Sequence, residues 1–162
     1  MKTFKIRKED VVRNWHHIDA AGQTLGKIAV RAAHILMGKD KTTYTPGVDN
    51  GDFVVVTNAE QVKVSGKKLE DKVYRHHTQY LGGLVEEPMV KLLARKPQRV
   101  ILLAVRRMLP KNTLGKWYLG RLKIYAGSSH PHSAQQPKTI QVVRQRVALR
   151  AAHPPAPAKT AH

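Results

Sequence analysis

Hydrophobic positions recur at helical spacing most clearly between residues 25 and 36, where Leu25, Ile28, Ala29, Ala32, Ile35 and Leu36 share one face and Lys27, Arg31 and His34 the other. Thr24 stands at the N-cap position and Gly38 supplies the stop. Short apolar runs flank this helix. Trp15 to Ala20 is partly apolar and ends at Ala21-Gly22, the pattern of a strand entering a turn, while Phe53 to Thr57 is continuously apolar and reads as a buried strand. Strand, helix and strand in this order predict a parallel α/β unit with a right-handed crossover. The intervening loop carries turn chemistry at Thr45-Pro46-Gly47 and Asp49-Asn50-Gly51.

Beyond Asn58 the pattern predicts a helical turn over 59–61, a brief strand over 62–64, a loop or short helix over 65–72 and a strand over 73–78, with a flexible break at Leu81-Gly82-Gly83. Two helices follow, 88–96 and 97–109, because Pro97 fits the first turn of a new helix but not the middle of an old one. In the second, Arg99 and Arg106 share a face, while Val100, Ile101, Ala104, Val105 and Met108 lie elsewhere and are assigned to the core. Asn112 caps a further helix through Leu119, and 122–126 reads as the last strand. Residues 1–14 read as an extended basic arm or short edge element. The expected organisation is one domain over 1–137 and a basic, Pro/Ala-rich extension over 138–162, mobile unless bound.

Charge changes this picture most. The formal net charge is +18, and all 11 acids lie at or before Glu87: residues 1–87 hold 14 Lys and Arg against 11 acids, residues 88–162 hold 15 against none. The second half is therefore expected to present a surface to a polyanion, nucleic acid above all. A membrane is the rival polyanion, but the longest strongly apolar run, 100–105, is six residues, far below the roughly 20 of a spanning helix. Residues 1–12 lack the apolar core of a signal peptide, and there is no cysteine, so a cytoplasmic location is expected and thiol chemistry is excluded.

Enzyme chemistry is not indicated. Gly22-Gln23-Thr24-Leu25-Gly26-Lys27 resembles a phosphate loop in its placement, yet it has three rather than four residues between its glycines and Ile28 where Ser or Thr must reach magnesium. The same spacing fails the dinucleotide fingerprint. The pairs His16-His17, His76-His77 and His130-Pro131-His132 raise a metal, but no cysteine exists and the second half has no carboxylate. Asp49 and Asp52 are expected to form turns. No metal, cofactor or small-molecule substrate is indicated.

Four segments suit phosphate and base contact. Lys39, Lys41 and Tyr44 belong to a basic, hydroxyl-rich loop; Lys67 and Lys68 follow Ser65-Gly66; Arg75 and His76 stand among aromatic rings over 74–80. The strongest is 104–132, where Arg106, Arg107, Lys111, Lys116, Arg121 and Lys123 alternate with Trp117, Tyr118 and Tyr125, with His130 and His132 at the end and no acid anywhere. An RNA-acting enzyme and a general DNA-binding protein are the alternatives. The first lacks a cofactor loop or clustered acids, and composition leaves the second open.

The residues also carry a family resemblance. Trp15 to Asp19, Leu25-Gly26-Lys27, Gly38-Lys39, Tyr44-Thr45-Pro46, Gly51-Asp52, Val54-Val55-Val56, Gly66-Lys67-Lys68 and Gly82-Gly83-Leu84 resemble the bacterial form of the large-subunit ribosomal protein L13 family. So, above all, do Met108-Leu109-Pro110-Lys111-Asn112, Leu114-Gly115, Leu122-Lys123, Tyr125, Gly127, His130-Pro131-His132, Ala134-Gln135 and Pro137. The resemblance runs from about Met1 to Pro137. It implies a three-layer α/β/α fold around a small, mostly parallel four-stranded sheet with basic extensions. It also implies a non-enzymatic role binding large-subunit (23S) ribosomal RNA early in assembly, with neighbouring ribosomal proteins as further partners. Arg107 stands where the family commonly has glycine, and Gln79-Tyr80-Leu81 replaces a more usual Gly-Tyr-Pro, so contacts at both places are expected to differ.

Overall fold

The structure is a computed structural model that describes residues 6–142. Six strands, β1 (Trp15–Asp19), β2 (Phe53–Thr57), β3 (Val73–His77), β4 (Leu84–Pro88), β5 (Leu122–Ile124) and β6 (Lys138–Thr139), accompany five helices. The helices are α1 (Leu25–Met37), α2 (Lys68–Asp71), α3 (Met89–Arg95), α4 (Pro97–Met108) and α5 (Thr113–Gly120). A parallel four-stranded sheet, ordered β5-β2-β1-β6, forms the middle layer, and β3 and β4 form a separate antiparallel hairpin.

Strand alternation divides the sheet's two faces. Ile18, Val54, Val56 and Leu122 point to the helices and join Ile28, Ala29, Ala32, Ile35 and Leu36 of α1, Ile101 and Val105 of α4 and Tyr118 of α5 in the main core. Trp15, His17, Phe53, Val55 and Tyr125 point to the other face. The thin third layer there is the segment 126–137, with a single-turn helix at Ser133–Gln135. Fully buried Ile18, Val54, Val55 and Val56 each contribute about 1.5–3 kcal/mol of burial.

The expected α/β unit is present: β1 and β2 pair in parallel from Trp15↔Phe53 to Asp19↔Thr57, with α1 between them. α1 stops at Gly38, whose φ of 76° is left-handed and whose N–H reaches the Ile35 carbonyl. Thr24 occupies the N-cap position with extended backbone but makes no side-chain cap bond. Pro97 opens α4 as its spacing predicts, and Asn112 Oδ1 accepts the Gly115 N–H at 2.9 Å to cap α5.

Four expectations are corrected. β4 occupies residues to which the pattern assigns no element, between the expected break at 81–83 and the expected helix start at Pro88; Glu86 and Glu87 are drawn into a strand because β3 offers an unpaired antiparallel edge. The expected strand over 62–64 is reduced to a single bridge between Thr24 and Lys63. The last strand is β6, which pairs with β1 and is followed by Ile140, whose N–H donates to the His17 carbonyl; the sheet thus continues past residue 137. Met108, assigned to the core, is 41% exposed: it shares the helix face of Ile101 but is the last residue of α4, beyond the stretch whose Val100, Ile101 and Val105 are buried. The basic tail beyond 142 and residues 1–5 of the basic arm lie outside the described residues.

The edge of the sheet where β1 and β2 begin is clamped by ion pairs. Arg121, buried just before β5, donates Nη1 to Asp49 Oδ2 at 2.6 Å and Nη2 to Asp49 Oδ1 at 2.5 Å, and lies over the Tyr118 ring. Asp52 receives Lys41 Nζ at 2.6 Å, His16 Nε2 at 3.0 Å and the Asn14 N–H at 2.9 Å. Burial pushes the Asp49 carboxyl up, but the bonds and charge of Arg121, with Arg13 and the Gly51 N–H, outweigh it and hold the group below its ordinary value. At Asp52 burial likewise pushes up, and His16, Lys41 and the Asn14 N–H together prevail.

Both carboxyls thus titrate lower when folded than the about 3.9 of an unfolded Asp, so their stabilisation is full above that value and is lost as pH falls through the folded values. Urea midpoints should fall steeply below about pH 4. Arg121→Ala should lose roughly 3 kcal/mol at neutral pH by breaking a largely buried pair, and should remove Asp49's share of the acid dependence.

Candidate nucleic-acid interface

α4 is buried on two sides at once. Ile101 and Val105 face the main core, while Val100 joins Tyr74, Met89 and Leu92 in a second cluster that fixes the hairpin and α3 to the same helix. What remains is a solvent-facing stripe in which Arg99 and Arg106 stand two turns apart with Leu103 between. Pro110 then turns the chain and α5 returns alongside. The approach is close: a Cβ on Gly115 would lie 1.9 Å from the Pro110 carbonyl oxygen, so only glycine lets α5 seat there and point Lys116 back toward α4.

The result is a groove of about 620 Å³ between α4, α5 and β3. Arg99, Arg106 and Arg107 line it from α4, Lys111 and Lys116 from α5 and the turn before it, and Arg75 and His76 from β3. Leu92, Leu103, Leu109 and Leu119 make its floor apolar. Glu87 is its one acid, and it is paired with Arg95 at 2.7 Å. Among the described residues, the ion pairs include none from Arg99, Arg106, Arg107, Lys111 or Lys116. Five cations without internal carboxylate partners therefore face one channel, which is the arrangement that focuses a positive field on a polyanion. Arg107 lies 5.8 Å from the Tyr74 ring centre, which fixes its position.

The structure brings together only part of the expected set. Arg75, His76, Arg106, Arg107, Lys111 and Lys116 converge, with Arg75 tied to Glu86 at 2.5 Å on an exposed surface. Lys67 and Lys68 lie by α2, and Lys68 shares a smaller pocket with Arg107. Lys39 and Tyr44 are exposed on the loop after α1. Arg121 and Lys41, expected to contact RNA, are instead drawn into the internal pairs with Asp49 and Asp52, because buried carboxylates need permanent cations beside them. Arg99 was absent from the expected contacts, although its helical spacing to Arg106 already carried the signal.

Lys123, His130 and His132 belong to the sheet face opposite the helices. Trp15 and Phe53 stack at 4.3 Å between ring centres, His132 lies 5.0 Å from Trp15 and its Nε2 meets the Tyr125 hydroxyl at 2.9 Å. His17 bonds Thr57 Oγ1 at 2.9 Å, and its ring lies 5.6 Å from His130. Burial, then the positive charge of His130, push His17 below its ordinary value. His16 and His17 point to opposite faces, and His77 Nδ1 accepts the Gln79 N–H. Among the described residues no group of three or more His, Asp or Glu is arranged to hold a metal, and no helix is long and apolar enough to cross a membrane.

The family model for ribosomal protein L13 matches residues 13–131. The chain is 57% identical over 142 residues to the large ribosomal subunit protein uL13 of Solibacter usitatus, covering 88% of this chain and 99% of that one. The uL13 proteins of Aquifex aeolicus and Teredinibacter turnerae are similar at 53% and 51% identity, again over 88% of this chain and 99% and 100% of theirs.

In the histidine cluster His130 and His17 are electrostatically coupled. His130→Gln removes one positive neighbour but keeps a polar cover, so the His17 titration followed by NMR should move up while remaining below an exposed histidine, because burial persists. An unmoved His17 would contradict the coupling.

Proposed function

This chain belongs to the bacterial ribosomal protein L13 family, whose members are structural ribosomal proteins rather than enzymes, and we propose that it works by holding large-subunit ribosomal RNA in the groove between α4, α5 and β3. The observation that carries the reading is the set of cations without internal carboxylate partners along that groove: Arg99, Arg106, Arg107, Lys111 and Lys116. RNA helices repel one another through their phosphates. A rigid protein wall of fixed cations lowers that repulsion and releases condensed counterions, so shape and charge matter more than base identity.

The other exposed candidates extend the same surface. Lys67, Lys68, Arg75 and His76 continue it around the hairpin, and Lys39 with Tyr44 offer a second contact on the loop after α1. Large-subunit proteins packed beside the RNA are the further partners. A role early in assembly is supported by the chemistry of the groove, which neutralises phosphates whose repulsion opposes RNA compaction.

Binding of the full chain to large-subunit ribosomal RNA should therefore weaken steeply as salt rises. Replacing Arg106 and Lys116 together by Ala should flatten the log–log salt slope by about 2, near one per lost phosphate contact, with the urea midpoint unchanged. Affinity that ignores salt, or a double variant with the parental slope, contradicts the groove reading. Competition with duplex DNA separates RNA preference from general polyanion binding.

A further inference from the structure

Beside the groove lies a smaller pocket of about 260 Å³, and Tyr74 and Arg107 line both. We infer that this pocket takes one unpaired nucleotide of the bound RNA, its base inside and its phosphate on the cations at the rim; the inference rests on the RNA-binding reading above. The volume lies just under the roughly 300–1,000 Å³ of pockets for drug-sized ligands, too small for a helix or folded peptide and suited to a single planar ring.

Its chemistry is divided as a nucleotide is divided. Leu25, Val64, Met89 and Met108 supply apolar walls for a base, and Met108, at the C-terminal end of α4, is left 41% exposed there. Lys68, Lys72 and Arg107 supply positive charge, and no acid lines the pocket. Lys72 and Arg107 lie 5.6 and 5.8 Å from the centre of the Tyr74 ring, which holds both cations in place. A guanidinium so held offers charge to a phosphate and a planar group against which a base stacks. Two hydroxyls complete the site. Thr24 makes no cap bond with α1, which leaves its hydroxyl for a base edge or a ribose, and Ser65 lies beside Lys68 Nζ at 3.4 Å. A bare phosphate does not need the apolar walls, and an apolar peptide does not need three cations; an extruded nucleotide uses both.

The test compares a short RNA duplex carrying one bulged nucleotide with the same duplex lacking it, each titrated with the full chain. Wild type should prefer the bulged duplex by about fivefold, the smaller end of what stacking one base contributes. Gly26→Leu fills the pocket from α1 at a position where an added Cβ meets nothing within 4 Å, so it should fold normally, abolish the preference and leave the affinity for the plain duplex unchanged. Thr24→Val should reduce the preference, and Arg106→Ala should weaken both duplexes alike. Equal wild-type affinities with salt-dependent binding overturn this pocket while leaving the groove reading intact, as does a preference that survives Gly26→Leu. Failure to bind either duplex overturns both.

Discussion

The bidentate pair between Arg121 and Asp49 is the interaction on which the rest of the structure depends. It ties the residue just before β5 to the loop between α1 and β2, so two segments 72 positions apart in sequence meet at one end of the sheet. Neither group tolerates that position alone. A largely buried carboxylate without its guanidinium loses solvation it cannot replace, and a buried guanidinium without its carboxylate is worse placed still. Lys41 and His16 do the same for Asp52 one strand over, so the start of the parallel sheet is held by charge where hydrogen-bonded strands have not yet begun.

This clamp also sorts the cations. A chain with a large positive excess has two uses for Lys and Arg, and the position of the acids decides between them. Arg13, Lys41 and Arg121 are drawn to Asp49 and Asp52, and Arg95 to Glu87. The half of the chain without acids leaves α4 and α5 with arginines and lysines that have nothing internal to neutralise. α4 carries both outcomes on one rod: Val100, Ile101 and Val105 fix its position, and that fixes where Arg99 and Arg106 point. Packing is thus the means by which the basic surface acquires a shape.

Much of the fold was legible in the sequence because its signals are local. The amphipathic face of α1, the apolar run of β2, Pro97 at a helix start and Asn112 at a cap each declare themselves within a few residues. β4 and β6 do not. Leu84–Pro88 becomes a strand only because β3 lies beside it, and Lys138–Thr139 only because β1 presents an edge; neither has an apolar period of its own. The candidate site divides in the same way. Arg106, Arg107, Lys111 and Lys116 were visible as a run of charge free of acids, whereas Arg121, in the same run, is turned inward by an aspartate far away in sequence. Composition reports how much charge there is, and only the tertiary contacts report which charges are neutralised within the fold.

That sorting is tested most directly by the chemical reactivity of individual lysines, measured by mass spectrometry after brief acylation of the free protein and of the protein within large ribosomal subunits. Lys41 should be protected in both, since its ammonium is held between Asp52, the Val12 carbonyl and Asn50. Lys111 and Lys116 should react freely in the isolated chain and become protected in the subunit. A reactive Lys41 in the free protein, or groove lysines that stay reactive in the subunit, would contradict the division between cations that build the fold and cations that meet RNA.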